Sequence, residues 1–273
     1  MTTATMTPAP MTPPRRISPA QAMGHGFTLA GRNLRKIVKN PEQLIDVTLQ
    51  PLIMLVMFTY LLGGAISGGN RDAYLQLLLP GLMVQTVLFA SLGTGIGLAT
   101  DISKGVFDRF RSMPIARSAP LLGAVFGDIL RYVITLAILV GVGVIFGFRI
   151  HTDPVSVLLD FALMVVFGLC LCWISVWVGM LVKSPQAVPG VMVAFIMPLT
   201  FVSNVFVETS TLPAWMQAFT DVQPVTLLTE VNRGLLNGGP VAGPLLGSIA
   251  WMVGLVAVFY PLAMVAYRRR MGG

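Results

Sequence analysis

The chain has 273 residues, of which 55% are hydrophobic and 11% charged, with a formal net charge of +7 and a mean hydropathy of +0.80. A soluble domain carries about a quarter charged residues, so this chain lacks the polar surface needed to face water on all sides. Its basic residues sit in short segments between apolar blocks with little aromatic interleaving, which argues against nucleic acid and matches the Lys and Arg excess of cytoplasmic membrane loops.

Met1 to Pro14 is Thr- and Pro-rich, without the basic start and apolar run of a signal peptide, and residues 1–17 are expected to be a disordered tail. Residues 18–40 follow a helical pattern. Ser18 then Pro19 supplies a cap and a proline at the first helical position. Met23, Phe27, Ala30, Leu34, Ile37 and Val38 form one apolar stripe, with Arg32, Arg35, Lys36 and Lys39 on the opposite face and Asn40-Pro41 as the stop. A basic amphipathic helix just before a first span is expected to lie flat on the membrane surface. A helix of a soluble N-terminal domain is the alternative, but too few residues precede the first span to build a core.

The expected fold is all-α and polytopic, with six transmembrane helices over 41–273. The apolar blocks are Leu44–Ile66, Leu75–Ala99, Leu121–Phe148, Val155–Val182, Ala187–Val207 and Leu245–Tyr267, each long enough to span and bounded by turn or charged residues. The link Lys183-Ser184-Pro185 is so short that the fourth and fifth spans must run antiparallel. With the N-terminus inside, fourteen Lys and Arg residues fall in inner segments and three, Arg71, Arg149 and Arg233, in outer ones. Both termini are therefore predicted to be cytoplasmic. Residues 208–244 form an outer re-entrant or interfacial segment, in which Trp215 resembles an interfacial anchor.

The cytoplasmic loop 101–118 is richer than a connection requires. Ser103 can cap a short helix in which Val106, Phe107 and Phe110 share a face, and Pro114 stops it. Aromatic residues among charges suit docking into a groove on a partner protein; an interfacial turn anchored by Phe and Arg is the other reading. No G-x-x-x-x-G-K-[ST] loop is present, so ATP is not bound in that way. The only histidines, His25 and His151, lie outside the spans, which leaves no intramembrane Ser–His pair. Asp101 and Asp108 are interleaved with Lys104 and Arg109, unlike a cluster of metal-binding aspartates. No catalytic or metal-ligating residue is assigned. Cys170 and Cys172 point in different directions on one helix and read as small packing residues. Asp128 and Arg131 are three apart on one face of the third span and can pair, near enough to the cytoplasmic end for Arg131 to be partly solvated. Gly93, Gly95 and Gly97, with Gly141, Gly143 and Gly147, allow close helix approach.

Three stretches carry a resemblance: Tyr74-Leu75-Gln76-Leu77-Leu78-Leu79-Pro80-Gly81; the loop Asp101 to Ile115 with Gly105, Arg109, Arg111 and Pro114; and Leu212-Pro213-Ala214-Trp215 through Gln223-Pro224 to Arg233-Gly234. On these the chain resembles the membrane-domain permeases of type-2 ABC exporters, in the daunorubicin-resistance branch, over nearly everything after the tail. Two positions depart from the family's habit: Ala124 follows Gly123 where Arg is frequent, and Gln223 precedes Pro224 where Asn is frequent.

The resemblance implies a connector helix over 18–40, with Phe27, Arg32, Leu34, Arg35 and Lys36. It implies a coupling helix in the loop 101–115, with Asp101, Gly105, Phe107, Arg109, Phe110, Arg111 and Pro114, docking on a separate ABC ATPase. It further implies two ATPase copies, a second membrane subunit as a homodimer, and a bacterial plasma membrane as the location. ATP and Mg would be bound by the partner rather than by this chain, and the cargo would be a hydrophobic drug, lipid or glycolipid moved outward. An ion-gradient-driven secondary exporter and a non-transporting scaffold remain as alternatives; the first would depend on Asp128.

Overall fold

The computed structural model describes residues 41–61, 63–66, 70–105, 119–182, 184–207 and 209–272. The tail, the amphipathic segment 18–40 and most of the loop 101–118 lie outside the described residues.

Helix α1 (Pro41–Leu61) starts on a proline, whose missing N–H costs nothing in a first turn. Leu55 on it is buried, while Leu49, Ile53, Met57, Tyr60 and Leu61 are exposed. An apolar helix with large apolar side chains turned outward is one solvated by lipid. The single-turn α2 (Gly63–Ile66) follows. Asn70 then caps α3 (Arg71–Ala90), its Oδ1 accepting from the Ala73 amide at 3.1 Å.

Helix α3 is buried almost all round from Tyr74 to Ala90 and forms the middle of the bundle, packed against α1, α5, α6 and α9. Ser91 interrupts it, and α4 (Leu92–Ser103) continues the run. The Thr86 hydroxyl donates to the Leu82 carbonyl at 2.6 Å and that of Ser91 to the Leu88 carbonyl at 2.7 Å. Such back-bonding competes with the helical ladder and bends it. Gly105, at φ +65°, ends the described part of this run in the left-handed region that glycine tolerates.

Helix α5 (Ala119–Ile145) returns through the bundle, and Gly147, at φ +110°, turns the chain. Asp153 then caps α6 (Pro154–Leu181), accepting from the amides of Val155 at 3.1 Å and Ser156 at 3.3 Å and from the Ser156 hydroxyl at 2.7 Å. The Ser156 hydroxyl, followed by these amides, holds the Asp153 carboxyl below the usual carboxylate range. After the tight turn at 184–186 comes α7 (Ala187–Phe201). A 3₁₀ turn (Thr209–Thr211), α8 (Ala214–Thr220) and α9 (Pro224–Asn237) cover one end of the bundle, and α10 (Ala242–Gly272) closes the chain.

Four stretches are long and apolar enough to cross a bilayer: Arg71–Ser103, Asp128–Ile145, Pro154–Leu181 and Ala242–Arg270. Thr48–Leu61 and Ala187–Phe201 are apolar but shorter. Of the six expected spans, four therefore fall on the long stretches, and the fifth, α7, is short. The 15 residues of α7 rise about 22 Å against a hydrocarbon core of about 30 Å. The expected fifth block ran to Val207, but the helix stops at Phe201 because side chains beyond it satisfy the backbone. The Asn204 amide donates to Thr226 Oγ1 at 3.4 Å and that of Val205 to Ser203 Oγ at 3.3 Å.

Two ends are thus distinguished among the described residues. The capped end holds Asn70, the turn 147–153, residues 203–207 and 209–211, α8 and α9. The basic end holds Lys104 and Arg268, Arg269 and Arg270.

Candidate functional site

Three helices place a polar side chain at the same height. Asp128 on α5, Thr94 on α4 and Cys172 on α6 each lie nine residues from the helix terminus at the basic end. At 1.5 Å per residue that is about 14 Å, the middle of a bilayer core. Asp128 Oδ1 is 3.0 Å from an Arg131 guanidinium nitrogen, one turn along the same helix. The Thr94 hydroxyl donates to Asp128 Oδ2. Cys172 Sγ lies 3.1 Å from Thr94 Oγ1 and 2.9 Å from the Tyr132 hydroxyl. Arg131 also donates to the Ala90 carbonyl at 2.5 Å, where α3 gives way to α4.

Small residues make this cluster possible. A Cβ at Gly93 would fall within the Arg131 guanidinium, 2.8 Å from Cζ, so glycine opens the space that the arginine fills. A Cβ at Gly168 would stand 2.6 Å from the Tyr132 ring. Below the cluster α4 crosses α6 almost backbone to backbone: a Cβ at Gly179 would come 2.6 Å from the Gly95 carbonyl oxygen, and one at Gly95 would collide with the Ser175 carbonyl. Small residues let membrane helices approach in this way. Gly97 and Gly141 face no neighbour within 4 Å, so the expected close approach is carried by only part of the glycine pattern.

The sequence places Arg131 near solvent; in the structure it is 7% exposed and Asp128 6%. The reason is depth, since nine residues of helix separate Asp128 from the start of α5 and three more separate Arg131. Cys172 is likewise more than a packing residue, because its thiol sits among the hydroxyls of Thr94 and Tyr132. Cys170 faces a different surface. Sequence reading missed Thr94, Tyr132, Cys172 and Ser175, although equal spacing from helix ends was a usable signal. It also passed over Asp160 on α6, which is fully buried with both carboxyl oxygens lacking a hydrogen-bond partner among the described residues. A buried ionisable group in a membrane helix is costly and by default a functional candidate.

The remaining site residues are unevenly placed. Asp101 is partly buried in the last turn of α4, and Gly105 forms the turn after it. Phe107, Arg109, Phe110, Arg111 and Pro114 lie outside the described residues, as do Phe27, Arg32, Leu34, Arg35 and Lys36.

A second polar cluster joins the first and third resembling stretches at the capped end. Pro80 has no N–H to offer the Gln76 carbonyl, which instead accepts from Asn237 Nδ2 at 2.8 Å. Arg233 donates to the Leu77 carbonyl from two nitrogens, at 3.1 and 3.0 Å, and to the Asn204 carbonyl at 2.6 Å. Asn232 Nδ2 donates to the Pro80 carbonyl at 3.0 Å, and the Tyr74 hydroxyl to the Phe206 carbonyl at 3.3 Å. Gly81 lacks the Cβ that would press to 2.7 Å from the Val205 carbonyl oxygen. Gln223, the departure from the family's habit, donates to the Val202 carbonyl and, at 3.1 Å, to Thr226 Oγ1, holding the turn that starts α9. In the low dielectric of a membrane each such carbonyl needs an internal donor.

These two clusters are structural devices of a membrane helix bundle, and the comparisons with known proteins agree with that setting. The ABC-2 type transporter family matches residues 25–236. A daunorubicin resistance ABC transporter permease protein of Streptomyces coeruleorubidus, DrrB1, is 41% identical over 254 residues, covering 92% of this chain and 89% of that protein. A doxorubicin resistance ABC transporter permease protein of Mycobacterium tuberculosis, DrrB, is 27% identical over 272 residues, covering 94% and 92%. With a family match over most of its length and a relative this similar, the chain belongs to the ABC-2 type transporter permease family.

Proposed function

We propose that this chain is the membrane-spanning permease subunit of an ATP-driven exporter that moves a hydrophobic drug, lipid or glycolipid outward, with ATP and Mg bound and the ATP hydrolysed by a separate ABC ATPase. The observation that carries the reading is the similarity, over nine-tenths of both chains, to a permease named for daunorubicin resistance. The arrangement proposed is six crossings, with α1 as the first and the short α7 as the fifth, two copies of the chain, and two ATPases. The basic end faces the cytoplasm of a bacterial cell, in line with its Lys and Arg excess.

In this reading the loop 101–118 docks on the ATPase through Phe107, Arg109, Phe110 and Arg111, and the amphipathic segment 18–40 lies on the same membrane face. Helix α4 leads from the buried Asp128–Arg131 pair straight to Asp101, the first residue of that loop. A push on the loop therefore reaches the centre of the membrane through one rigid helix. Arg109→Glu and Phe110→Ala should each weaken co-purification with the ATPase and lower ATP-dependent drug efflux from vesicles. Unchanged association together with unchanged efflux would sink the docking role.

A second reading, exchange driven by an ion gradient, draws on the mid-membrane position of Asp128 and on Asp160, which has no hydrogen-bond partner among the described residues. It requires transport that persists without any ATPase and collapses when Asp128 is replaced by Asn. The first reading requires transport to stop when the ATPase is withheld.

A further inference from the structure

The chain leaves α7 at Phe201 and, within three residues, lies against the first turn of α9. The side chains that join the two there are polar and closed to solvent: Asn204 and Gln223 are each 2% exposed, and Thr226 is fully buried. Thr226 Oγ1 accepts from the Asn204 backbone amide at 3.4 Å and from Gln223 Nε2 at 3.1 Å. Gln223 Nε2 gives its other hydrogen to the Val202 carbonyl. Asn204 Nδ2 reaches one turn further along α9 and donates to Glu230 at 3.4 Å.

Three hydrogen-bonding valences are left over. A hydroxyl oxygen has two lone pairs and one hydrogen. Both lone pairs of Thr226 are taken by amides, so its hydrogen turns away from them, and it meets no acceptor among the described residues. Asn204 Oδ1 and Gln223 Oε1 each lack a donor among the described residues. Turning either amide over does not help. The Gln223 oxygen would then face the Val202 carbonyl, and the Asn204 oxygen the Glu230 carboxylate. Buried polar atoms without partners are costly in a low dielectric, and these three come from two separate segments of chain.

Their chemistry selects the ligand, which must accept one hydrogen bond and donate two. A cation, whether metal or ammonium, accepts none. The Arg233 guanidinium, donating to the Asn204 carbonyl at 2.6 Å, also sets a positive charge beside the site. An anion donates none, and an alcohol hydroxyl donates only one. Water donates two and accepts, is small enough for so enclosed a place, and when buried makes about three such bonds.

We infer that this cluster is a binding site for one buried water molecule, which accepts from Thr226 Oγ1 and donates to Asn204 Oδ1 and Gln223 Oε1. The water ties the chain leaving α7 to the first turn of α9, where the hydrogen-bond ladder of α7 has already stopped. The site does not depend on the transport reading.

The test is electron cryomicroscopy of the full chain in lipid nanodiscs, at a resolution that shows ordered water. One density peak should stand about 2.8 Å from each of the three atoms, the usual O–H···O separation. Thr226→Val keeps the branched shape and removes the donor, so the peak should be lost; Thr226→Ser should retain it. Where the valine variant does not fold, Gln223→Met removes an acceptor instead and should also abolish the peak. Ordered side chains with no peak among them would overturn the proposal. So would a peak about 2.0–2.5 Å from the oxygens, the spacing a metal cation takes, or a peak that persists in Thr226→Val or Gln223→Met.

Discussion

Replacing Arg131 by Met removes the guanidinium 3.0 Å from Asp128 and the donor to the Ala90 carbonyl. Among the described residues Asp128 then keeps the Thr94 hydroxyl and the distant Cys172 thiol. Both side chains of the pair are 9% exposed, so water cannot replace what is lost. Breaking a buried pair from one side costs about 3–5 kcal/mol. In a bilayer the unfolded chain also finds partners, which favours the lower figure of about 3 kcal/mol. Asp128→Asn, which leaves Arg131 without its counter-charge, should cost a similar amount. The double variant removes both charges together and should cost no more than either single one, a coupling of about 3 kcal/mol. The assay is unfolding of the purified chain in mixed micelles by titration with a denaturing detergent, followed by loss of helicity. Had Arg131 been partly solvated, each single change would cost under about 1 kcal/mol and the two would add; that result refutes the buried-pair argument.

Asn237→Leu should orphan the Gln76 carbonyl and cost about 1–3 kcal/mol in the same assay. In a Pro80→Ala background, where a backbone N–H returns, the cost should shrink; an undiminished cost would show that Asn237 does not stand in for the missing donor. Gly179→Ala should destabilise by about 1–3 kcal/mol, because the new methyl meets the Gly95 backbone, which cannot rotate away. Gly141→Ala, with open space around it, should be neutral, and equal effects at both positions would refute the crossing. Asp153 has a depressed folded-state carboxyl, so its contribution is present above the unfolded value near 4 and lost as pH falls through the folded value. Asp153→Asn should flatten stability across that acid window by lowering it at neutral pH, and leave the strongly acid end little changed.

The apolar blocks made the helical, membrane-embedded character readable, because twenty-residue runs with few charges have no other stable solution. Helix ends were readable where their chemistry is local, as at Asp153-Pro154, where cap and proline adjoin. The interior polar contacts were not. Thr94, Asp128 and Cys172 are separated by 34 and 44 residues, and only packing three helices at one height unites them. Gly95 and Gly97 look alike in sequence, yet one holds a helix crossing and the other faces open space. The early end of α7 was hidden for a similar reason: Val202 to Val207 reads as a continuation of an apolar run, and only α9 supplies the polar side chains that let it leave the helix.

The run from Arg71 to Ser103 connects these observations, since it is the most buried of the four spanning stretches and the most irregular. A straight Leu-rich helix could fill the middle of the bundle without any polar help. This one carries Pro80 and the interruption at Ser91, and beside each stands a polar side chain from another helix, half-buried at Asn237 and buried at Arg131. Asn237 serves the carbonyl that Pro80 abandons, and Arg131 serves the one at Ala90. A cation so deep in turn requires Asp128 and the space left by Gly93. Buried charge at mid-membrane therefore follows from keeping the central helix irregular, a burden that a purely static scaffold would have no reason to carry.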